Sequence, residues 1–340
     1  MNRPASWPVM IQPTQIPTGM ESAGQTSSRS APGSWLKQIG IFSTSRADAG
    51  IYQPLLARLT GETSFDTAFF AGGTHHTESF GRSVDSLSLP LRVKLIPVDH
   101  FVRGDRPVEV AATTAGAVAA FSNALDQHPC QFVIVLGDRT EMLGACLAAT
   151  IHGVPIAHLH GGDITLGAYD NACRDAITKL AHVHLPASQQ HAARIMGMGE
   201  EFWRIHVVGA PALDALRSFQ PFTTSQLHAT TGLDLSAPTL ILLFHPETIS
   251  TIPVDEQIET VLTALDGWPH QVLAIGPNSD VGHDSVRDRL NAFTLAGKRR
   301  LVTNLSQEEF WSALAHAAAL VGNSSAGIIE APAFRLPVVN

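Results

Sequence analysis

Short apolar runs, each ended by glycine or polar residues, recur along most of the chain. Runs of this length and uniformity are typical of strands that are buried on both faces of a parallel sheet. They are IGIF before Ser43, FVIVLGD at 132–138, PIAHLHGGD at 155–163, VHLPAS at 183–188, IHVVGAP at 205–211, TLILLFHPE at 239–247, QVLAIGPNSD at 271–280, RLVTNLS at 300–306 and ALVGNSS at 319–325.

Alanine-rich or amphipathic stretches lie between these runs. PVEVAATTAGAVAAFSNALDQH at 107–128 and SQEEFWSALAHAAA at 306–319 place their apolar residues at helical spacing. Alternation of strand and helix predicts parallel sheets with helices on both faces. We therefore predict an α/β fold with two Rossmann-like domains and a ligand cleft between them.

The length of 340 residues supports two domains, because one hydrophobic core usually serves about 150 residues. Residues 1–35 are rich in Pro, Ser, Thr and Gly without a regular period, which predicts a flexible leader. The segment PALDALRSFQPFTTS at 211–225 follows a predicted strand and contains the proline and polar residues that are typical of a connection between domains. The predicted domains are therefore 36–212 and 213–340, the second binding the nucleotide.

Composition excludes several classes of protein. A hydrophobic share of 44% with 15% charged residues argues against a disordered chain or a coiled coil. Lys and Arg total 22 against 30 Asp and Glu, a net charge of −8, so we expect neither a nucleic-acid partner nor a membrane partner. Three scattered cysteines and the lack of a long apolar run or typical signal peptide favour the cytoplasm.

Chemistry-bearing residues follow the predicted strands of the first half. In GDRTE at 137–141, Asp138 is a general acid or base or, alternatively, a helix cap with Arg139 as a solvated ion partner. HLHGGD at 158–163 offers His160 and Asp163 for proton transfer, or a packing histidine before a turn. Since ligands bind beyond the carboxyl ends of parallel strands, these residues are candidates for a site.

Further candidates lie on either side of these motifs. Asp170 and Arg174 stand one helical turn apart, as a site pair or as a surface ion pair. STSRADAG at 43–50 supplies hydroxyls and Arg46, whose planar fork suits a diphosphate. In GNSSAG at 322–327, small residues expose the backbone to a phosphate and Glu330 follows within reach of ribose hydroxyls; a simple helix cap is the alternative.

The sequence lacks the motifs that would indicate a nucleotide cofactor or a metal. Neither GxGxxG for a dinucleotide nor GxxxxGK[ST] for a triphosphate is present, and the sixteen histidines lack a metal-ligand spacing such as HExxH. We therefore expect no cofactor and no metal.

Seven segments, in this order along the chain, together resemble the UDP-N-acetylglucosamine 2-epimerase family. The resemblance spans about Ile39 to Asn340 and is greatest to the hydrolysing branch, which makes N-acetylmannosamine for sialic acid and related sugars. The segments are SRADAG at 45–50, GDRTEM at 137–142, IAHLHGGDIT at 156–165, DAITKLAH at 175–182, FHPET at 244–248, GPNSD at 276–280 and GNSSAGIIEAP at 322–332.

The resemblance implies a glycosyltransferase-B-like architecture with a nucleotide sugar in the cleft. In this family UDP is eliminated to leave a 2-acetamidoglucal, and the hydrolysing branch adds water to release N-acetylmannosamine. His160 stands where many relatives carry glutamate and resembles bacterial hydrolysing members. The implied catalytic residues are Asp138, His160, Asp170 and His245. The implied substrate-binding residues are Arg46, Asp48, Arg139, Asp163, Arg174, Glu247, Asn278, Ser324, Ser325 and Glu330.

The resemblance also bears on assembly and on the end of the chain. Relatives are dimers or tetramers, so a homo-oligomer is expected, and they continue past Asn340 with a loop and a helix, so the second domain is expected to be incomplete. Alternatives remain: a non-hydrolysing 2-epimerase, a glycosyltransferase on the same architecture, or a nucleotide-sugar-binding protein without turnover. Related members accept 2,4-diacetamido and GDP-linked sugars, which leaves the substrate open.

Overall fold

A computed structural model describes residues 37–85, 87–295 and 298–340, and the predicted leader at 1–35 lies outside them. The first half forms a six-stranded parallel sheet in the order β3-β2-β1-β4-β5-β6. Its strands are β1 (Lys37–Ser43), β2 (Phe65–Gly72), β3 (Val93–Val98), β4 (Phe132–Leu136), β5 (Ile156–Leu159) and β6 (Val183–Leu185).

Helices cover both faces of this sheet. One face packs Phe42, Phe70 and Phe121 into a common core, and the other packs Tyr52 and Phe69. All five are fully buried, and each such side chain contributes about 1.5–3 kcal/mol by leaving water. The helices are α1 (Arg46–Leu59), α2 (Pro107–Gln127), α3 (Thr140–Ile151), α4 (Asp170–Leu180) and α5 (Gln189–Gly197).

The second half forms a five-stranded parallel sheet in the order β11-β10-β7-β8-β9. Its strands are β7 (Thr239–Leu242), β8 (Gln271–Ile275), β9 (Arg299–Val302), β10 (Ala319–Val321) and β11 (Val338–Val339). Its helices are α6 (Thr224–Thr231), α7 (Val254–Asp266), α8 (His283–Thr294), α9 (Gln307–His316) and α10 (Ala326–Ile329). We call the described parts of 37–204 the first lobe and of 218–340 the second lobe.

Short 3-10 helices complete the secondary structure described here. The segment Pro211–Arg217 connects the lobes and packs on α1. The others are Gly73–His76, Glu78–Phe80, Ser83–Asp85, Phe202–Arg204 and Ala331–Phe334. The exact domain bounds stay a prediction.

Two parallel sheets with alternating helices confirm the predicted fold class. The run at 205–211 differs from the prediction, because it follows the edge of β6 without forming a regular strand. Ile205 makes an isolated parallel bridge to His184, and the N–H groups of His206 and Val208 donate to the carbonyls of His184 and Pro186 at 2.9 and 3.1 Å. The side chain of Val208 is exposed, so this run is a loosely paired edge and not the buried strand that the apolar pattern predicted.

One helix, α2, is long and apolar enough to cross a membrane by length and composition alone. In the structure, Ala117, Phe121 and Leu125 on α2 belong to the core beneath the first sheet. The helix therefore occupies the place of a sheet-covering helix. The cytoplasmic location stays a prediction.

In each sheet the order of the strands reverses at one point, where two strands that are not consecutive in the chain lie side by side. β1 and β4 are neighbours in the first sheet, and β7 and β10 in the second. In open parallel sheets the helices that follow such neighbours leave to opposite faces, so a crevice opens at their carboxyl ends. The loops after β1, β4, β7 and β10 carry most of the predicted site residues.

Candidate active site

Asp138 and Arg174 form an ion pair at the carboxyl end of the first sheet. Asp138 follows β4, and Arg174 is buried on α4. Arg174 also donates to the backbone oxygen of Asp163 at 2.8 Å and to Thr165 Oγ1 at 2.9 Å. Burial lowers the pKa of Arg174 to about 10, so the guanidinium stays charged at neutral pH. The pair therefore holds Asp138 in one place beside a permanent cation.

The turn after β5 holds His160 under backbone strain. His160 has φ 61°, a left-handed conformation that costs a non-glycine residue about 1 kcal/mol or more. Its Nδ1 lies 3.0 Å from Asp163 Oδ2. Gly162 makes the turn possible, since at φ 80° a Cβ would lie 2.5 Å from the backbone oxygen of His191. Strain that persists at a polar turn marks it as a candidate functional element.

A narrow cleft lies where the two lobes meet, with about 320 Å³ of space when the adjoining open solvent is included. Both lobes contribute to its walls, which combine apolar side chains with acids and a guanidinium. The lining residues are Phe101, Gly104, Val110, Thr113, Arg139, Thr140, Glu141, Tyr169, Asp170, Ser279 and Asp280.

Asp170 is the acid in this cleft whose ionisation is most disturbed. Burial raises its pKa to about 7, and the nearby Asp280 and Glu141 carboxylates add to the increase while Arg139 opposes it. A carboxyl that titrates near neutral pH is suited to exchanging protons with a substrate. Its position in the first turn of α4 places it one turn from Arg174.

Arg139 connects the lobes across the cleft. Its guanidinium donates to Ser279 Oγ in the second lobe and to Glu141 Oε1 at 3.4 Å, and it lies 4.0 Å from Asp280 Oδ1. Burial alone would lower the pKa of Arg139, but the Glu141 and Asp280 carboxylates raise it. Although burial opposes the effect, Arg139 likewise keeps the pKa of Glu141 below its usual range. The cation is therefore held by both lobes.

His245 lies in the loop after β7, where hydrogen bonds to its backbone and to its ring hold it in place. Asn323 bonds both its N–H and its carbonyl at 2.8 Å, and the N–H of Asn278 donates to its Nδ1 at 3.4 Å. Asn278 also donates to Asp280 Oδ2 at 2.6 Å. Burial lowers the pKa of His245, which keeps the imidazole neutral at pH 7. These contacts gather the ends of β7, β8 and β10 at one place.

The loop after β10 depends on the close approach of two backbones. Gly322 has φ 132°, and a Cβ there would lie 2.0 Å from the carbonyl oxygen of Leu243. Ser324 accepts from the N–H of Ala326 at 3.4 Å, and Ser325 is exposed before α10. The loop thus presents small polar groups at the end of the strand.

Some predicted binding residues are occupied by contacts inside their own lobe. All four hydrogen bonds of the Asp48 carboxylate go to Thr44 and Ser45, where it completes the capping box of α1. Glu330 accepts from Trp311 Nε1 at 2.7 Å, and its burial raises its pKa. In this structure Asp48 therefore shapes the loop around Arg46 and does not itself point a free oxygen outward.

Arg46 and Glu247 take part in contacts between the lobes. Arg46 donates to Asn304 Oδ1 of the second lobe. Glu247 is exposed, and its side chain packs against Gly167 of the first lobe. Next to it, Thr248 accepts from the N–H of Tyr169 at 3.1 Å. The loops after β1 and β7 therefore approach the opposite lobe.

The structure brings together residues that were not among the predicted site residues. Tyr169, Ser279 and Asp280 line the cleft, and each stands within one or two positions of a predicted residue. Ser279 and Asp280 lay inside the GPNSD segment without a role, and Tyr169 directly precedes Asp170. Glu141 lay inside the GDRTE motif without a role. His191, whose Nδ1 lies 2.7 Å from Asp163 Oδ1, had no signal in the sequence.

One group among the described residues has the spacing of metal ligands. Donor atoms of Asp105, His283 and Asp284 lie within 4.8 Å of one another. Asp105 caps the first turn of α8 by accepting from the N–H of Asp284 at 3.1 Å, and Arg287 pairs with Asp284 at 2.5 Å. A helix N-terminus and a bound guanidinium favour anions there, so these residues fit a contact between lobes better than a cation site.

Comparison with known proteins assigns the chain to a family. Residues 57–340 match the family model described as UDP-N-acetylglucosamine 2-epimerase. The chain belongs to the UDP-N-acetylglucosamine 2-epimerase family. The match covers every lining residue of the cleft.

Individual members of the UDP-N-acetylglucosamine 2-epimerase family show how far the likeness extends. The chain is 31% identical over 314 residues to UDP-N,N'-diacetylbacillosamine 2-epimerase (hydrolyzing) of Legionella pneumophila, covering 90% of this chain and 81% of the relative. It is 28% identical to polysialic acid biosynthesis protein P7 of Escherichia coli, covering 90% and 78%. The crystal structure of the Neisseria meningitidis UDP-GlcNAc 2-epimerase bound to UDP-GlcNAc superposes with a TM-score of 0.72 at 16% identity, covering 89% and 82%.

Proposed function

We propose that this protein is a hydrolysing 2-epimerase of a UDP-linked 2-acetamido sugar. It eliminates UDP and hydrates the resulting 2-acetamidoglucal, releasing N-acetylmannosamine from UDP-N-acetylglucosamine or the equivalent product from a related sugar. The observation that carries the proposal is the meeting of Asp170, whose pKa is raised to about 7, with Arg139, which bonds both lobes, in the interlobe cleft.

The reaction asks for three things. A base must remove the proton at C2, the electron pair of the C1–O bond must leave with the diphosphate, and water must then add across the C1–C2 double bond. In our proposal Asp138, His160 and Asp170 supply the proton transfers. Asp170 suits this role because it titrates near the working pH.

The leaving diphosphate needs positive charge, which an acidic protein of net charge −8 must supply locally. In our proposal Arg46, Arg139 and Arg174 provide it, and the neutral His245 donates a hydrogen bond to the departing oxygen. Glu247, Asn278 and Glu330 complete the sugar and ribose contacts, while Ser324 and Ser325 bind the diphosphate. Support comes from their shared location at the carboxyl ends of strands in both sheets.

The hydrolysing mode draws its support from relatives. The Legionella relative is named as a hydrolysing enzyme and matches over 90% of this chain. His160 and the PNSD segment at 277–280 were also typical of that branch in the sequence.

A product assay tests the proposal. The protein is incubated separately with UDP-N-acetylglucosamine and with UDP-N,N'-diacetylbacillosamine, and UDP and sugar products are followed by ¹H NMR. We expect free 2-epimerised sugar and UDP in equal amounts from one of the two. Accumulation of a UDP-linked manno product would show the non-hydrolysing reaction instead. Tight UDP binding without any product from either sugar would favour a binding protein.

A further inference from the structure

The Asp163 carboxylate lies between two imidazoles that come from different elements. His160 directly follows β5, and its Nδ1 lies 3.0 Å from Oδ2 of Asp163. His191 belongs to the first turn of α5, and its Nδ1 lies 2.7 Å from the other oxygen, Oδ1. His160 makes an aligned hydrogen bond, whereas His191 and Oδ1 meet at ion-pair distance without one.

The backbone of this turn is held from two further sides. Arg174 on α4 donates to the carbonyl of Asp163, and Arg194 on α5 donates to the carbonyl of Gly162. Both cations therefore bind the turn through its carbonyls. The two carboxylate oxygens are left to the two imidazoles.

We propose that Asp163 and His191 are positioning residues for His160, with Asp163 fixing the tautomer that leaves His160 Nε2 free to react and His191 setting how much of the Asp163 charge His160 experiences. This inference rests on the proposed function, in which His160 transfers a proton. It makes Asp163 a partner of His160 in place of the substrate-binding residue that the resemblance implies.

The direction of each influence follows from charge. An ionised Asp163 favours the proton on His160, because a carboxylate at hydrogen-bond distance stabilises an imidazolium. A protonated His191 neutralises Asp163 and weakens that effect. Other groups around the turn are Arg174, Arg194 and the buried His158 of β5, whose pKa burial lowers to about 4, so that His158 is neutral at pH 7.

The test compares Asp163→Asn with His191→Phe by NMR of ¹⁵N-labelled histidine, with His160→Asn identifying the His160 signals. In the unaltered protein we expect the Nδ1–H tautomer of His160. Asp163→Asn should mix the tautomers and lower the His160 titration midpoint by about one pH unit. His191→Phe should raise the midpoint by about half a unit. His228→Phe, an exposed histidine on α6, serves as the matched control and should change neither.

Activity adds a second readout. The limb of the kcat/KM profile that reports His160 should move to lower pH in Asp163→Asn and to higher pH in His191→Phe. Because Asp163→Glu keeps the charge, its limb should lie close to that of the unaltered protein. Should Asp163→Asn not fold, the His191→Phe arm still decides. Unchanged midpoints in the folded variants, or shifts of the same sign, would overturn the inference.

Failure of the proposed function is distinguishable from failure of this inference. If no nucleotide sugar releases UDP, the function is wrong, but the NMR tautomer and midpoints still measure the coupling of His160, Asp163 and His191. If UDP is released normally and the His160 signals ignore both substitutions, the function stands and the inference fails.

Discussion

The two lobes place different chemical groups at equivalent positions, the carboxyl ends of parallel strands. In the first lobe, β4 is followed by Asp138 and Arg139 and β5 by His160, all of them ionisable side chains. In the second lobe, β10 is followed by Gly322 and Asn323, which work through close backbone contact and amide hydrogen bonds. The loops after β4 and β5 therefore present ionisable side chains, whereas the loop after β10 depends on backbone contact.

This difference has a consequence for mutation. A side chain that supplies charge can be replaced while its strand, cap and core stay intact. A glycine that permits two backbones to touch cannot, because the added Cβ collides with main-chain atoms. We therefore expect substitutions in the first lobe to remove activity from a folded protein and those after β10 to remove the fold of the site itself.

The largest expected effect is on turnover in Asp138→Asn. Loss of a proton-transferring or charge-stabilising group typically costs about 10²–10⁴-fold in rate, and we expect about 10³-fold here. Arg174 keeps its bonds to Asp163 and Thr165, so the fold and UDP affinity should be retained. UDP release and calorimetric UDP binding measure the two quantities.

Asp126→Asn provides the control for this prediction. Asp126 is an exposed acid near the end of α2, and its replacement should leave both rate and UDP affinity unchanged. Asp138→Asn with the rate of the unaltered protein would remove Asp138 from the proposed mechanism and weaken the contrast between lobes.

Gly322→Ala should come next in size, as a loss of stability. With φ 132° and a Cβ position 2.0 Å from the oxygen of Leu243, the loop after β10 must move, and we expect a loss of about 3 kcal/mol or more in the free energy of unfolding. Urea denaturation measures it. UDP binding at temperatures where the variant remains folded should also weaken.

A matched glycine separates backbone collision from a general effect of alanine. Gly197 ends α5, and a Cβ there meets no atom within 4 Å. Gly197→Ala should be neutral or stabilising by about 0.5 kcal/mol, since alanine limits the unfolded chain. Equal stability of the two variants would contradict the backbone role assigned to the loop after β10.

The smallest expected effect is the pH dependence of stability in Asp170→Asn. Because the folded-state pKa is about 7 and the ordinary value is 3.8, the folded protein binds more protons than the unfolded chain between about pH 4 and 7. Stability therefore falls as pH rises through that window. Asparagine removes the penalty. The full pKa shift corresponds to about 4 kcal/mol, but Asp170 is only partly buried and water screens its charge, so we expect the variant to be more stable by about 1–2 kcal/mol at pH 8 and by nothing near pH 4.

Urea denaturation at pH 4 and pH 8 checks this prediction. The informative quantity is the difference between variant and unaltered protein at each pH, since other carboxylates titrate equally in both. A pH-independent difference would mean that Asp170 is not buried beside other carboxylates. It would also weaken the contrast between the two lobes.

Much of the fold followed from local pattern. Uniform apolar runs such as 132–136 and 271–275 became central strands, because residues buried on both faces have no polar positions to alternate. The run at 205–211 pairs only loosely with the edge of β6, because an apolar pattern does not determine how regularly a segment pairs with its neighbour. β2 and β3 are also strands in the structure, but they were not among the apolar runs predicted as strands.

For the candidate site, too, some features could be predicted from the sequence and others could not. The positions of Asp138, His160, His245 and Ser324 after strands were readable from sequence, because helices begin where strands end and ligands bind there. The partners of these residues were not. The resemblance implied Asp48 as a substrate-binding residue, and in the structure its carboxylate completes a helix cap, which depends on the local turn.

The amino-acid sequence by itself determined the alternation of strand and helix, the order of the motifs and the kinds of group that stand at each strand end. These follow from local spacing and burial preference. Only the tertiary structure decided that Arg139 reaches Ser279, that Asp163 lies between His160 and His191, and that Asp170 titrates near neutral pH. Those outcomes depend on strand order, on the docking of the lobes and on the exclusion of water between them, and none of these is encoded in any short stretch of chain.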